Sequence, residues 1–503
     1  MLAFPTNPGS GLSLRTNLAG AGQDTSRGGI PWMNFWLLVL LIFGGVIVMT
    51  DGCTRDPMPD EGTAAPTPAL QYESFWAAYI FAGVSLPLCY FYAKKTGAPR
   101  GEAILLWFVL DTVAYSKDFA YIRLPGLPLF ITDIVLAVFL WSLLRGLGIR
   151  FLLFDRWWSR LILAYVAVGV VSVARGMAGH EELTLVARDA AIVVYALFTF
   201  VGFHVVTTWN GVRRFFIALT LGSIFATLNG LAWFLAQPGQ RRYIPYGVFL
   251  LVSSVGTVIL TIYRMIRPML GWLLAALLLV GILLINARTI FVELVLAMLI
   301  VMIASSSGKL RISVRSLRLL AGVTVVLFAL VWAAAQTRTG SSFVDRAETE
   351  LVSGTLNYSD DPNATFRLMA WFEAFQRFTE SPVLGEAYGI PFKFDLDESD
   401  ARPHNTYLTV LYKMGVLGLT PLILLLAGFQ WSGWINLRRL HSASEGVVLY
   451  ALLIGQLLMC FFGVLNLLLE SPFLASIFWL TIGIGLRMMS APAAVTMPKV
   501  ATG

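Results

Sequence analysis

Three residues in this chain carry side chains able to do chemistry at the edges of apolar segments: Arg288, Arg367 and His404. His404 stands in Arg402-Pro403-His404-Asn405-Thr406-Tyr407-Leu408, between a long polar stretch and an apolar one. Histidine titrates near neutral pH and can take a proton from a hydroxyl. At a helix start it is equally a plain structural residue. Helical spacing puts it on the face of Leu408, Leu411 and Gly415, at the outer mouth of a spanning helix. Arg288 is a permanent cation in the hairpin tip Asn286-Ala287-Arg288-Thr289. Each arm of that hairpin, 268–286 and 288–306, gives roughly 27 Å of helix at 1.5 Å per residue. Nothing is left over for a loop, so the tip is pinned at the outer membrane boundary. There Arg288 either snorkels to lipid phosphate or lines a site. Glu293 is either its partner or a buried acid satisfied by another helix.

Arg367 belongs to a strong local pattern, Asp361-Pro362-Asn363 followed by residues 364–380. Asp361 suits an N-cap and Pro362 the first helical position. Leu368, Trp371, Phe372, Phe375 and Phe378 share one helical face. The spacing predicts a helix lying along the outer membrane surface, aromatics down and Arg367 at its edge. Arg367 alone also reads as a solvated charge. Arg241 and Arg242 add positive charge on the same side, either as part of an anion site or as ordinary surface charges.

The elements that must position these residues are membrane helices. The chain has 503 residues, 57% hydrophobic and 13% charged, against about 25% charged in soluble proteins. Spanning helices need roughly 17–25 apolar residues. Candidate segments are 31–50, 74–93, 102–116, 127–146, 158–175, 188–208, 214–236, 244–263, 268–286, 288–306, 318–336, 406–430, 446–467 and 471–489. The short segment 102–116 either spans or is re-entrant. The expected fold is an all-α polytopic integral membrane protein with about 12–14 transmembrane helices. A cytoplasmic tail (1–30), helices within 31–336, a large, partly helical extracytoplasmic loop (337–404), helices within 405–489 and a second cytoplasmic tail (490–503) follow in order. Residues 32–50 exceed a signal-peptide core of about 7–15 residues, and no small-residue cleavage site follows, so they read as a retained anchor.

The net charge of +7 is an orientation signal rather than a sign of a nucleic-acid partner. Lys94, Lys95, Arg145, Arg150, Arg213, Arg214, Arg264, Arg267, Arg438 and Arg439 gather at one set of turns, which the positive-inside rule assigns to the cytoplasm. Both termini are then inside. Cys53, Cys89 and Cys460 are too scattered for a disulfide framework or a zinc site. Asp395-Leu396-Asp397 matches a metal-binding D-x-D, a pattern that acidic loops produce by chance. No metal or cofactor is expected.

Arg402-Pro-His-Asn-Thr-Tyr-Leu408, then Lys413-Met-Gly-Val-Leu-Gly-Leu419, resembles the H-N-x-[YL]-L…G-x-x-G-L signature of the O-antigen ligase and polymerase superfamily. Arg367 with Trp371, followed by Glu380-Ser-Pro-Val-Leu-Gly385 and Gly389, is similar to its R-x-x-x-W…P-x-x-G-x-x-x-G stretch. Asn286-Ala287-Arg288 resembles its S-R turn, with Asn286-Ala287 replacing the usual Ser. The likeness runs over about 215–430 and is best in 364–419.

The resemblance implies a bacterial inner-membrane glycosyltransferase of polysaccharide or lipopolysaccharide biosynthesis. Its donor would be a glycan on undecaprenyl diphosphate. Its acceptor would be a sugar hydroxyl, on lipid A core for a ligase or on another repeat unit for a polymerase; both remain open. Arg288 and Arg367 would hold the diphosphate, and His404 would act as base or position the acceptor. Arg241, Arg242 and Asn405 are secondary candidates. The alternatives are a polysaccharide flippase or secondary transporter, for which Asp111 at mid-depth is the best clue, and a membrane scaffold.

Overall fold

Lipid offers the backbone no hydrogen bonds, so a chain this apolar must close its backbone groups within helices. The computed structural model is built that way. It describes residues 68–122, 130–179, 181–236, 246–285, 288–306, 362–392, 402–437 and 443–490. The expected anchor 31–50, the expected span 318–336, both tails, Arg241, Arg242 and the Asp395–Asp397 pair lie outside the described residues.

The helices are α1 (Pro68–Lys95), α2 (Arg100–Tyr115), the single turn α3 (Lys117–Ala120), α4 (Ile131–Leu147) and α5 (Arg156–Ala178). Then come α6 (Leu183–Val205, with a 3-10 turn at Tyr195–Leu197), α7 (Trp209–Ala236), α8 (Tyr246–Ile262), α9 (Pro268–Ile285) and α10 (Arg288–Ser306). The last four are α11 (Pro362–Glu380), α12 (Thr406–Leu437), α13 (Ala443–Leu465) and α14 (Pro472–Ser490). Every expected span that falls on described residues is helical. Among the described residues, 8 helices are long and apolar enough to cross a membrane. This is an all-α polytopic membrane protein.

The short segment 102–116 is α2, sheathed by α1 and α7. Every residue from Leu105 to Tyr115 is buried, as expected of a mainly apolar helix enclosed by its neighbours. Asp111 inside it is fully buried, and Ser85 Oγ donates to its carboxylate at 2.8 Å. At the other end of α2, Glu102 takes both arms of the Arg214 guanidinium, Nε at 2.5 Å and Nη2 at 3.0 Å. Both side chains are almost wholly buried, and the pair ties α2 to α7.

The feature that shapes the end of the bundle holding His404 is a break in α12. Gly415 has φ 63°, ψ −166°, so the helix stops there and restarts. The segment 382–387, just past α11, fills the gap. Val416 N–H donates to Pro382 O at 2.9 Å and Leu417 N–H to Val383 O at 3.2 Å. In return Tyr412 O accepts from Glu386 N–H at 2.8 Å, and Lys413 O from Ala387 N–H at 3.3 Å. Contact this close needs glycines. A Cβ on Gly415 would collide with Val383 O, and one on Gly385 with the Lys413–Met414 peptide. Arg175 of α5 clamps the same segment from the far side, Nη1 donating to Leu384 O and Gly385 O at 3.0 Å each.

Gly415→Ala introduces a Cβ at positive φ and a collision with the inserted segment. It should cost about 2 kcal/mol or more, lowering the thermal unfolding midpoint in detergent micelles. Gly256→Ala, where a Cβ meets open space, should leave it unchanged or slightly raised. Equal midpoints for the two variants would contradict the packing described.

Candidate functional site

Charged side chains behind the inserted segment hold it down. Lys413 lies seven residues into α12 with its side chain 2% exposed. Its ammonium donates to Ile390 O at 2.6 Å and pairs as an ion with two carboxylates, Glu386 Oε1 at 2.9 Å and Asp189 Oδ2 at 3.3 Å. Asp189, buried in α6, also accepts from Gly389 N–H at 3.1 Å. Arg377 of α11 bonds Glu373 Oε1 at 2.7 Å, reaches Glu386 Oε2 at 3.4 Å and lies over the Phe392 ring. Burial pushes the Glu386 carboxyl up, against the downward pull of Lys413 and Arg377. One network thus joins α6, α11, α12 and the segment between them.

The same construction brings His404 to Arg367. Ala370 and Ala374 of α11 pack on Tyr412 and Phe392, with Phe378 and Leu408 at the margin. Trp371 Nε1 donates to Pro403 O at 2.7 Å, tying α11 to the residue before His404. His404 has φ 48°, a left-handed conformation rare for a non-glycine residue. Asn405 then caps α12, its Oδ1 accepting from Tyr407 N–H at 3.1 Å and Leu408 N–H at 3.0 Å. The Phe366 ring stands edge-on to the imidazole at 6.4 Å between centroids. Burial, then the charges of Arg367 and Arg402, lower the His404 pKa from 6.5 to about 4. The imidazole is therefore neutral at neutral pH and has a lone pair to offer. Because folded His404 holds a proton less well than an unfolded histidine, its contribution to stability is present above the unfolded pKa. It is lost as pH falls towards about 4.

Of the sequence candidates, His404 and Arg367 are brought together. Arg288 opens α10, two residues after α9 ends at Ile285, as the length of the hairpin demands; its side chain lies outside the described atoms. Glu293, one turn deeper, is fully buried, and neither carboxylate oxygen has a hydrogen-bond partner among the described residues. The Asn405 side-chain oxygen is engaged in capping.

Two geometric expectations change. His404 is not on the Leu408–Leu411–Gly415 face, because the left-handed turn at 404 and the Asn405 cap set it outside the helix. The aromatic stripe of α11 is split. Leu368, Phe372 and Phe375 are exposed, Phe372 at 72%, while Trp371 and Phe378 turn towards the protein around the buried Ala370 and Ala374. Sequence reasoning missed Asp189, Glu386 and Lys413 as a unit. The available signal was two opposite charges, Asp189 and Lys413, inside otherwise apolar spans, where an unpaired charge costs about 2.5–3.5 kcal/mol at full depth.

Fold and site together define a polytopic membrane protein that brings arginines beside a neutral histidine at one end of α12. A family model described as O-Antigen ligase matches residues 273–423, which run from α9 into α12. The match supports the O-antigen ligase and polymerase superfamily for this chain, and with it a ligase- or polymerase-type glycosyltransferase role. Comparison with curated proteins gives no match.

By NMR of histidine-labelled protein, His404 should titrate near pH 4, and Arg367→Gln should move it upward. A wild-type value at 6.5 would contradict the burial of the ring and the placement of both arginines. Lys413→Met leaves Asp189 and Glu386 facing each other without their shared cation. It should destabilise the fold by about 3–5 kcal/mol, read as a lowered midpoint in thermal unfolding; wild-type stability would show that the network is dispensable.

Proposed function

We propose that the protein is a glycosyltransferase of the bacterial inner membrane, acting at its outer face. It moves a glycan from undecaprenyl diphosphate to an acceptor sugar hydroxyl, on lipid A core or on a growing polysaccharide. The observation that carries this reading is the neutral His404 held beside Arg367 at the mouth of α12. The acceptor hydroxyl attacks the anomeric carbon and the bond from that carbon to the diphosphate oxygen breaks. His404 takes the hydroxyl proton. The diphosphate departs with the bonding pair, and its charge must be met by cations already in place. Guanidinium is permanently charged and binds phosphate oxygens in pairs, which suits Arg367 and, by its place at the α9–α10 tip, Arg288. Arginines do here what a divalent cation does elsewhere, so the reaction runs without metal. Both termini lie in the cytoplasm, as the basic turns require.

The test is transfer in proteoliposomes carrying an undecaprenyl-diphosphate glycan. His404→Ala should lower the rate by about 10²–10⁴ without loss of folded protein. Arg288→Lys and Arg367→Lys should each impair it, because the bidentate fork is lost. A chelator should change nothing. Transfer at the wild-type rate by His404→Ala sinks the mechanism, full activity of Arg288→Lys reduces that arginine to a lipid anchor, and inhibition by chelator returns the role to a metal.

A further inference from the structure

Among the described residues, Arg402 is a sparsely engaged cation two positions from His404. Its side chain is 15% exposed. Among the described residues it has one ionic neighbour, Asp189 Oδ1 at 3.8 Å, and no hydrogen bond. A guanidinium carries five N–H donors, and none of those on Arg402 is a buried atom left without a partner, so they are open to an incoming ligand. Asp189 is already committed elsewhere. Its Oδ2 serves Lys413 and the Gly389 N–H, and Arg188 Nη2 stands 3.5 Å from Oδ1. The Arg402 fork is therefore nearly idle. It is also well placed: two residues from His404, on the stretch whose Pro403 carbonyl is tied to Trp371 of the helix that carries Arg367. The charges of Arg402 and Arg367 both reach the His404 ring. Two guanidinium groups converging on one neutral imidazole make a site for an anion with several oxygens.

We propose that Arg402 is a further phosphate-binding residue, whose fork leaves Asp189 and closes on the diphosphate oxygens of the polyprenyl donor beside Arg367 and His404. This rests on the donor assigned above and adds a residue to its recognition. Asp189 then holds the fork pointed at the site while it is empty. Lysine replaces Arg402 only in part, because a single ammonium cannot grip two oxygens at once.

The experiment is binding of undecaprenyl diphosphate, with undecaprenyl monophosphate alongside, to the full chain in detergent micelles, read as affinity and as a rise in unfolding temperature. Arg402→Gln should weaken diphosphate binding about tenfold or more, with the ligand-free unfolding temperature kept. Arg402→Lys should fall between. His404→Ala should still bind. The preference for diphosphate over monophosphate should shrink in Arg402→Gln. If Arg402→Gln binds diphosphate as wild type does while Arg367→Gln does not, this assignment alone falls. If the wild-type protein binds no undecaprenyl diphosphate, the assignment and the proposed donor fall together. If Arg402→Gln also unfolds early without ligand and Arg402→Lys binds as wild type does, the residue is structural and the proposal is overturned.

Discussion

A broken membrane helix must find partners for the backbone groups it releases, since each one left bare in lipid costs several kcal/mol. In α12 the break at Gly415 is met by backbone, not by side chains: carbonyls of Pro382 and Val383 on one side, N–H groups of Glu386 and Ala387 on the other. Much else around His404 follows from that seal. The segment must enter beside Met414 and Gly415, so Gly385 and Gly415 have no room for a side chain. Once inside, it needs counter-charges below and a clamp beside it, which Lys413, Asp189 and Arg175 supply. α11, directly before the segment, is then delivered against α12, and Arg367 arrives next to His404.

The histidine benefits from being surrounded by cations. A base in such a place binds protons poorly, so it stays empty until a hydroxyl comes near. Near neutral pH the ring is therefore available in nearly every molecule. A bound anion beside the arginines would offset their charge and strengthen the same base. Electrostatics thus makes the site ready when empty and more basic when filled.

Local features of the sequence were legible because they depend on neighbours in the chain. The helix expected from Asp361-Pro362 onward is α11, and the hairpin limits around Arg288 agree within a residue or two. The resemblance in 364–419 lies inside the matched stretch 273–423. What escaped were relations between distant residues. Asp189 and Gly389 are 200 positions apart, and no spacing rule links them. The aromatic stripe divides for a different reason: a face count weighs the large residues, whereas close packing on Tyr412 is made by the small Ala370 and Ala374. At His404 a single left-handed residue, invisible to periodicity, ended the helical extrapolation.

The buried pair Glu102–Arg214 bears on how the chain is made. α2 carries two carboxylates, Glu102 and Asp111, and is only 16 residues long. The arginine that neutralises Glu102 is synthesised 112 residues later. At roughly 5–20 residues per second, the ribosome takes about 6–22 seconds to reach it. For that interval α2 is a poor candidate for stable residence in lipid by itself. Its charge is met between α1 and α7 only after α7 has emerged. The final topology of this region is thus a product of late assembly rather than of one-by-one insertion.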